Sequence, residues 1–372
     1  MQSAELRSEI LSSGTKYYVQ TNAVPAQNAV VTSLFHEGRL LSTSTERYDS
    51  ASSSEQIRGL ARRLHEERKL RITSLLEIRD ELKRDVDARA HLRLGEALSR
   101  QRLYKEAMAE VVRAIKLGME DARGYSILGR CLHALEDHEK ALKSFQKGIE
   151  LSPNYPDLYN DLGVTYLALQ RCRESVQAFE KALELNRYYQ AACLNLALAL
   201  SLNVVLKQDY ELSRDLQGRM KRILELNLQL KPSIDNEDFR AALQGVELER
   251  YDAVHQRLLA VKEAQDRATE PDLSLELYLI LKFRGNQLED EDLEAYISRV
   301  RSALDANPGY ADLHNDLGIL YAAKCKRFID KAGECFEEAL RLNRDFTKAE
   351  KNLKLASNDR QGIHFLLRAL LD

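Results

Sequence analysis

The chain has 372 residues, 30% of them charged, with 55 Lys and Arg against 58 Asp and Glu and a formal net charge of −3. It holds only 16 glycines and six prolines and has no tryptophan, well under the roughly 7% glycine and 5% proline of an average protein. Tight turns are built from those two residues, so this composition argues against a sandwich, a barrel or a doubly wound α/β enzyme, and the near-neutral charge gives no electrostatic footprint for nucleic acid.

In chain order, the first segments are KYYVQTN (16–22), AVVTSLFHE (29–37) and RLLSTSTERY (39–48), all rich in β-branched and aromatic side chains. Gly38 sits in a short turn between the second and third, and Pro25 lies between the first and second. The pattern predicts a small antiparallel meander of two or three strands. SASSSE (50–55) supplies serine caps for a helix over 53–85, with Ile57, Leu60, Leu64, Ile72, Leu75, Leu76 and Leu82 at helical spacing. Three strands alone are marginal in water, so the sheet is expected to lean on this helix or on a second copy. Two roles stay open for the module: a cap on the first of the later helices, or an open sheet edge that recruits a partner or a second protomer, giving a homodimer.

From residue 88 a period takes over. Leu94-Gly95, Leu128-Gly129, Leu162-Gly163 and Leu196-Ala197 recur every 34 residues. Small residues come next at Ala107, Ala141 and Ser175, large ones at Val111, Phe145 and Phe179, and small ones again at Ala114, Gly148 and Ala182. The stretch NYPDLYNDLGVTY (154–166) returns as GYADLHNDLGILY (309–321), with eight of thirteen positions identical, and ALELNRYY (182–189) returns as ALRLNRDF (339–346), two residues further on. Small residues let two helices of a hairpin approach; large ones fill the remaining space; Pro153 and Pro308 stop the second helix of their units. The period divides the chain into units at 88–121, 122–155, 156–189, 190–234, 235–268, 269–310 and 311–346. In the fourth unit a long second helix is expected over 209–230. The last unit is expected to turn at KCKRF, with a closing helix at 347–358 and a short apolar helix at 362–371.

This pattern resembles the tetratricopeptide repeat (TPR) family, a helix–turn–helix of 34 residues. The resemblance implies a mostly α fold, a TPR-like α-hairpin superhelix preceded by the β-meander and long helix. It divides the chain into a module at 1–86, an array of about seven hairpins at 87–358 and a capping helix at 359–372. It also implies a concave groove lined by the first helix of each hairpin. Carried over by place in the repeat, the groove residues are Arg89, Arg93, Arg123, Arg130, Asn160, Asp161, Asn195, Asn315, Asp316 and Asn352. Amides and carboxylates there can hold the backbone of an extended peptide, or brace neighbouring helices. The arginines at the early end would suit an acidic partner. The chaperone-tail clamp of the family is absent, since its places hold Leu92, Glu96, Ser126 and Arg130.

The sequence has no GxGxxG, P-loop, HExxH or GxSxG motif, so no nucleophile, metal site or cofactor is nominated. Cys131, His133 and His138 lack a fourth ligand at standard spacing. The five cysteines are odd in number, and no two form a CxxC pair. With no secretory pattern at the start and no run of roughly 18 apolar residues, they read as reduced thiols of a cytoplasmic protein. The expected function is a non-catalytic scaffold that binds a peptide segment or folded protein, with no nucleic acid. The alternative is a peptide-sensing regulatory receptor, disfavoured because the strands do not resemble the helix-turn-helix such regulators carry.

Overall fold

The computed structural model describes residues 5–83, 86–268, 273–285, 287–306 and 311–371. The expected unit boundaries at Thr269, Pro271, Pro308 and Tyr310 lie outside them. The chain opens with four antiparallel strands in sequential order: β1 (Glu5–Ser12), β2 (Thr15–Val24), β3 (Ala29–His36) and β4 (Arg39–Arg47). Ser13-Gly14 and Glu37-Gly38 link β1 to β2 and β3 to β4, all four residues at positive φ, as a two-residue type I′ hairpin turn requires. The strand over 5–12 was not expected from sequence. It is an edge strand that buries only Ile10 and Ser12, so it has almost no apolar alternation.

Helix α1 (Ser54–Leu82) starts at Ser53, whose side chain and that of Gln56 form a reciprocal capping box. It covers one face of the sheet, where Tyr17, Val19, Val30 and Leu34 are fully buried. Polar ties fix the register. His65 meets Ser8 at 2.8 Å and Thr21 at 3.1 Å, and Asp80 accepts from Ser12 and Ser13 at 3.0 and 2.7 Å. Burial opposes ionisation of Asp80, but hydrogen bonds from Lys83, Ser13 and Ser12 outweigh it and take the carboxyl down to about 2.

Next come the hairpins α2 (Ala88–Arg100) with α3 (Tyr104–Lys116), α4 (Ala122–Ala134) with α5 (His138–Leu151), and α6 (Pro156–Ala168) with α7 (Cys172–Leu185). Their spacing follows the 34-residue period. Each elbow carries one left-handed residue, Arg102, Glu136 or Gln170. Each closes by a 2.9 Å bond from the next residue to a carbonyl five back: Leu103 to Leu98, Asp137 to Leu132, Arg171 to Tyr166. This is the Schellman closure, made without glycine. The glycines instead sit where the helices touch. A Cβ on Gly129 would fall 2.4 Å from the Phe145 ring, and one on Gly163 would fall 2.6 Å from Phe179.

The stack continues irregularly. Helix α8 (Gln190–Leu206) is apolar around most of its surface and packs on α7, on α9 (Leu216–Leu230) and on the later hairpin of α10 (Glu237–Glu247) with α11 (Tyr251–Ala268). Helix α9 is shorter than the span expected over 209–230: a 3-10 turn (Glu211–Ser213) and a left-handed Asp215 precede it. Residues 86–271 form one compact unit.

Helices α12 (Leu273–Arg284), α13 (Asp290–Ala306), α14 (Ala311–Leu342) and α15 (Thr347–Leu371) complete the chain. Residues 272–372 group with 1–85 as the second compact unit. Within it α1 packs along α12. Arg71 Nε lies 3.1 Å from Glu276, both nearly buried; Glu77 pairs with Arg284, and Gln287 donates to Glu81 at 3.3 Å. The turn expected at KCKRF is absent, because α14 runs straight through it. AAKCKRF holds no glycine, proline, asparagine or aspartate to break a helix. The two closing helices are likewise one, since Gly362 weakens a helix without ending it.

Candidate partner-binding face

In the 86–271 unit the first helices of successive hairpins touch one another directly: α2 with α4, α4 with α6, α6 with α8. Their starts are set locally. Asp87 accepts from the backbone of Arg89 and Ala90, Asp121 accepts from Arg123, and Pro156 opens α6 at its first turn.

These contacts bring a row of polar side chains together. Glu96 on α2 takes Arg123 of α4 and, at 2.8 Å, Arg100 of its own helix. Ser126 on α4 donates to Asp161 on α6 at 3.2 Å, and Arg130 Nε lies 3.8 Å from the same carboxylate. Asn195 on α8 donates to Asn160 on α6 at 2.9 Å. Beside them Thr165 meets His133 at 3.1 Å. Burial pushes the Asp161 carboxyl up to about 6, against the opposing pull of Arg130 and Ser126. Burial and the Asp157 charge push the Tyr189 phenol up as well.

Five of the ten residues expected in the groove meet in this row: Arg123, Arg130, Asn160, Asp161 and Asn195. Arg89 is exposed and Arg93 half-buried on α2. The other three lie in the unit that contains 272–372. Asn315 is exposed on α14, Asp316 is buried there and accepts from Ser274 of α12, and Asn352 is half-buried on α15. Ser126 belongs to the row although the sequence did not nominate it. Its signal is a 35-residue step, one repeat plus one residue, which joins Ser126 to Asp161 as it joins Asn160 to Asn195.

Residues 129–170 match the family model described as TPR repeat, and residues 156–189 match that described as tetratricopeptide repeat. The chain is a tetratricopeptide-repeat protein, as its 34-residue hairpins and these matches show. No curated protein matches the sequence at a significant level. Among solved structures, MamA is 21% identical over 45% of this chain and 94% of its own, with a TM-score of 0.37. TTC0263, a thermophilic TPR protein of Thermus thermophilus, is 18% identical over 63% of this chain and 98% of its own, with a TM-score of 0.34. YrrB, described as a TPR protein with an unusual peptide-binding site, is 14% identical over 63% and 95%, with a TM-score of 0.34. Among the described residues no helix is long and apolar enough to cross a membrane.

Proposed function

We propose that the protein is a non-catalytic interaction scaffold whose α2/α4/α6/α8 face holds an extended, acidic segment of a partner protein. The observation that supports this most is the pair of exposed guanidiniums at the rim of the polar row. Arg123 pairs with Glu96 of the neighbouring first helix. Arg130 faces a carboxylate that burial pushes toward its neutral form. Both arginines at the rim, Arg123 and Arg130, are exposed, so acidic side chains of a ligand can reach them. Packed helices lie about 8–10 Å apart and an extended chain rises about 3.3 Å per residue, so each repeat spans about three ligand residues. Acidic residues at that spacing would meet Arg123 and then the next hairpin.

The test is fluorescence anisotropy with a library of acidic peptides against the full chain, Arg123→Glu and Asn195→Ala. Binding that weakens at least tenfold in Arg123→Glu and falls with salt supports the proposal. Peptides that bind both variants as they bind the parent would refute it.

A second copy joined through the sheet remains a further mode, favoured by the outer strand β4, in which Ser42 alone is buried and Leu40 is 57% exposed. A solution mass that stays monomeric at high concentration, unchanged in Leu40→Lys, would remove it.

A further inference from the structure

Strand β1 is an open edge of the sheet, since among the described strands it pairs with β2 alone. Its ladder runs from Glu5↔Asn22 to Ser12↔Thr15 without a shift, whereas the β3–β4 ladder at the other edge is interrupted between Leu34 and Phe35. Bulges, prolines and inward-pointing charges are the usual devices that stop an edge from pairing. Strand β1 has none of them. Ser8 and Ser12 bond to His65 and Asp80 of α1, and Ile10 is buried beside them. Glu5, Arg7, Glu9 and Leu11 alternate with these and lie exposed on the other face. The two-residue turn makes Ser12 and Thr15 a hydrogen-bonded pair. Alternation then gives Ile10, Ser8 and Leu6 the backbone bonds to β2, and turns the N–H and C=O of Glu5, Arg7, Glu9 and Leu11 to the open edge.

The order of charges along that edge is complementary to itself. Two antiparallel copies of β1 bring their outward backbone groups together only when odd-numbered residues face odd-numbered ones. In the register centred on Ser8, Arg7 of each copy faces Glu9 of the other, and on the α1 side Leu6 faces Ile10. Centred on Arg7, the same strands set Arg7 against Arg7 and Glu5 against Glu9; centred on Glu9, they set Glu9 against Glu9. Opposite charges directly across a ladder stabilise it and like charges destabilise it, so the charges select the register centred on Ser8. Glu9 also meets Lys16 of its own sheet at 2.9 Å, and Arg7 lies over the Tyr18 ring at 4.8 Å. An exposed carboxylate has acceptor sites for a second donor. We propose that β1 pairs with β1 of a second copy in this register, joining the two sheets into one across a two-fold axis at Ser8. The proposal rests on the reading that a second copy joins through the sheet, and it places a seam at the edge opposite β4. The face of the first helices takes no part in it.

Sedimentation velocity on the full chain tests it, with Leu40→Lys as the control for β4. The parent and Leu40→Lys should both be dimers. Arg7→Glu and Glu9→Arg each set like charges opposite at both symmetry-related places, so each should raise the dimer dissociation constant at least tenfold. An equimolar mixture of these two variants restores opposite charges at both places, as does the double variant Arg7→Glu/Glu9→Arg. Both should dimerise as the parent does, which also shows that the single variants are folded. A monomeric parent overturns the proposal, as does a dimer that Leu40→Lys dissociates and Arg7→Glu leaves intact. Single variants that dimerise like the parent, or a mixture no tighter than either variant alone, overturn it too.

Discussion

The side-chain amide of Asn195 donates to the side-chain oxygen of Asn160 at 2.9 Å and so joins α8 to α6 inside the stack of first helices. Both residues are nearly buried, at 3% and 7% exposed. A buried amide whose partner is removed loses more than the bond, because its desolvation is no longer offset. Asn195→Ala is expected to cost about 1–2 kcal/mol. The double variant Asn160→Ala/Asn195→Ala should cost less than the sum, with a coupling of about 0.5–1.5 kcal/mol. Urea unfolding of the four proteins measures it, and strict additivity would show that the pair does not act as a unit.

Asp161 makes the stack sensitive to pH. Its carboxyl sits at about 6, raised from 3.8 chiefly by burial. A raised carboxyl favours folding in its protonated form, so the contribution is fully present below about pH 4 and disappears as the pH rises through 6. Each unit corresponds to about 1.4 kcal/mol. Asp161→Asn keeps an acceptor for Ser126 and removes the titration. It should exceed the parent by about 3 kcal/mol at pH 8 and match it at pH 4. A parent protein as stable as the variant at pH 8 contradicts this account.

In the other unit, Glu276 is 2% exposed, 3.1 Å from Arg71 Nε and 3.9 Å from Arg299. Arg71 Nε and Glu276 Oε2 are not aligned for a hydrogen bond, so charge rather than geometry holds them. Burial and the Glu276 charge together push the nearby Tyr296 phenol up. Removing one partner strands a buried ion, whereas replacing both by apolar groups does not. Glu276→Ala is expected to lose about 3 kcal/mol, and Arg71→Met/Glu276→Met to recover most of it. Denaturant midpoints decide, and a double variant no better than the single one would contradict the argument.

The hairpins were legible because close helix contact needs glycine and an aromatic at fixed places, and Gly129 with Phe145 and Gly163 with Phe179 repeat at 34 residues. The elbows were not, since Arg102, Glu136 and Gln170 take a left-handed conformation that their residue types do not announce. The first strand escaped notice because an edge strand buries too little to show alternation, although Ser13-Gly14 marked its turn as Glu37-Gly38 marked the other. Of the candidate face, the amides and carboxylates of the repeat were found by place. The hydrogen bonds from Ser126 to Asp161 and from Asn195 to Asn160 join residues 35 apart, so Ser126 was hidden by the 34-residue period that revealed the rest.

Gly163 and Gly318 occupy the same place in the two near-identical stretches, yet their surroundings are opposite. A Cβ on Gly163 would lie 2.6–2.9 Å from three ring atoms of the fully buried Phe179. A Cβ on Gly318 would meet nothing within 4 Å. Alanine gains up to about 1 kcal/mol over glycine inside a helix, while overpacking a core costs about 1–3 kcal/mol. Gly163→Ala should therefore destabilise its unit by about 1–2 kcal/mol, and Gly318→Ala should stabilise by up to about 1 kcal/mol. The second substitution also reports on α14. If 311–346 folded as a hairpin with Phe336 against Gly318, alanine there would clash as it does at Gly163. A loss of stability in Gly318→Ala, measured by thermal unfolding beside Gly163→Ala, would mean that the continuous helix is not the form in solution.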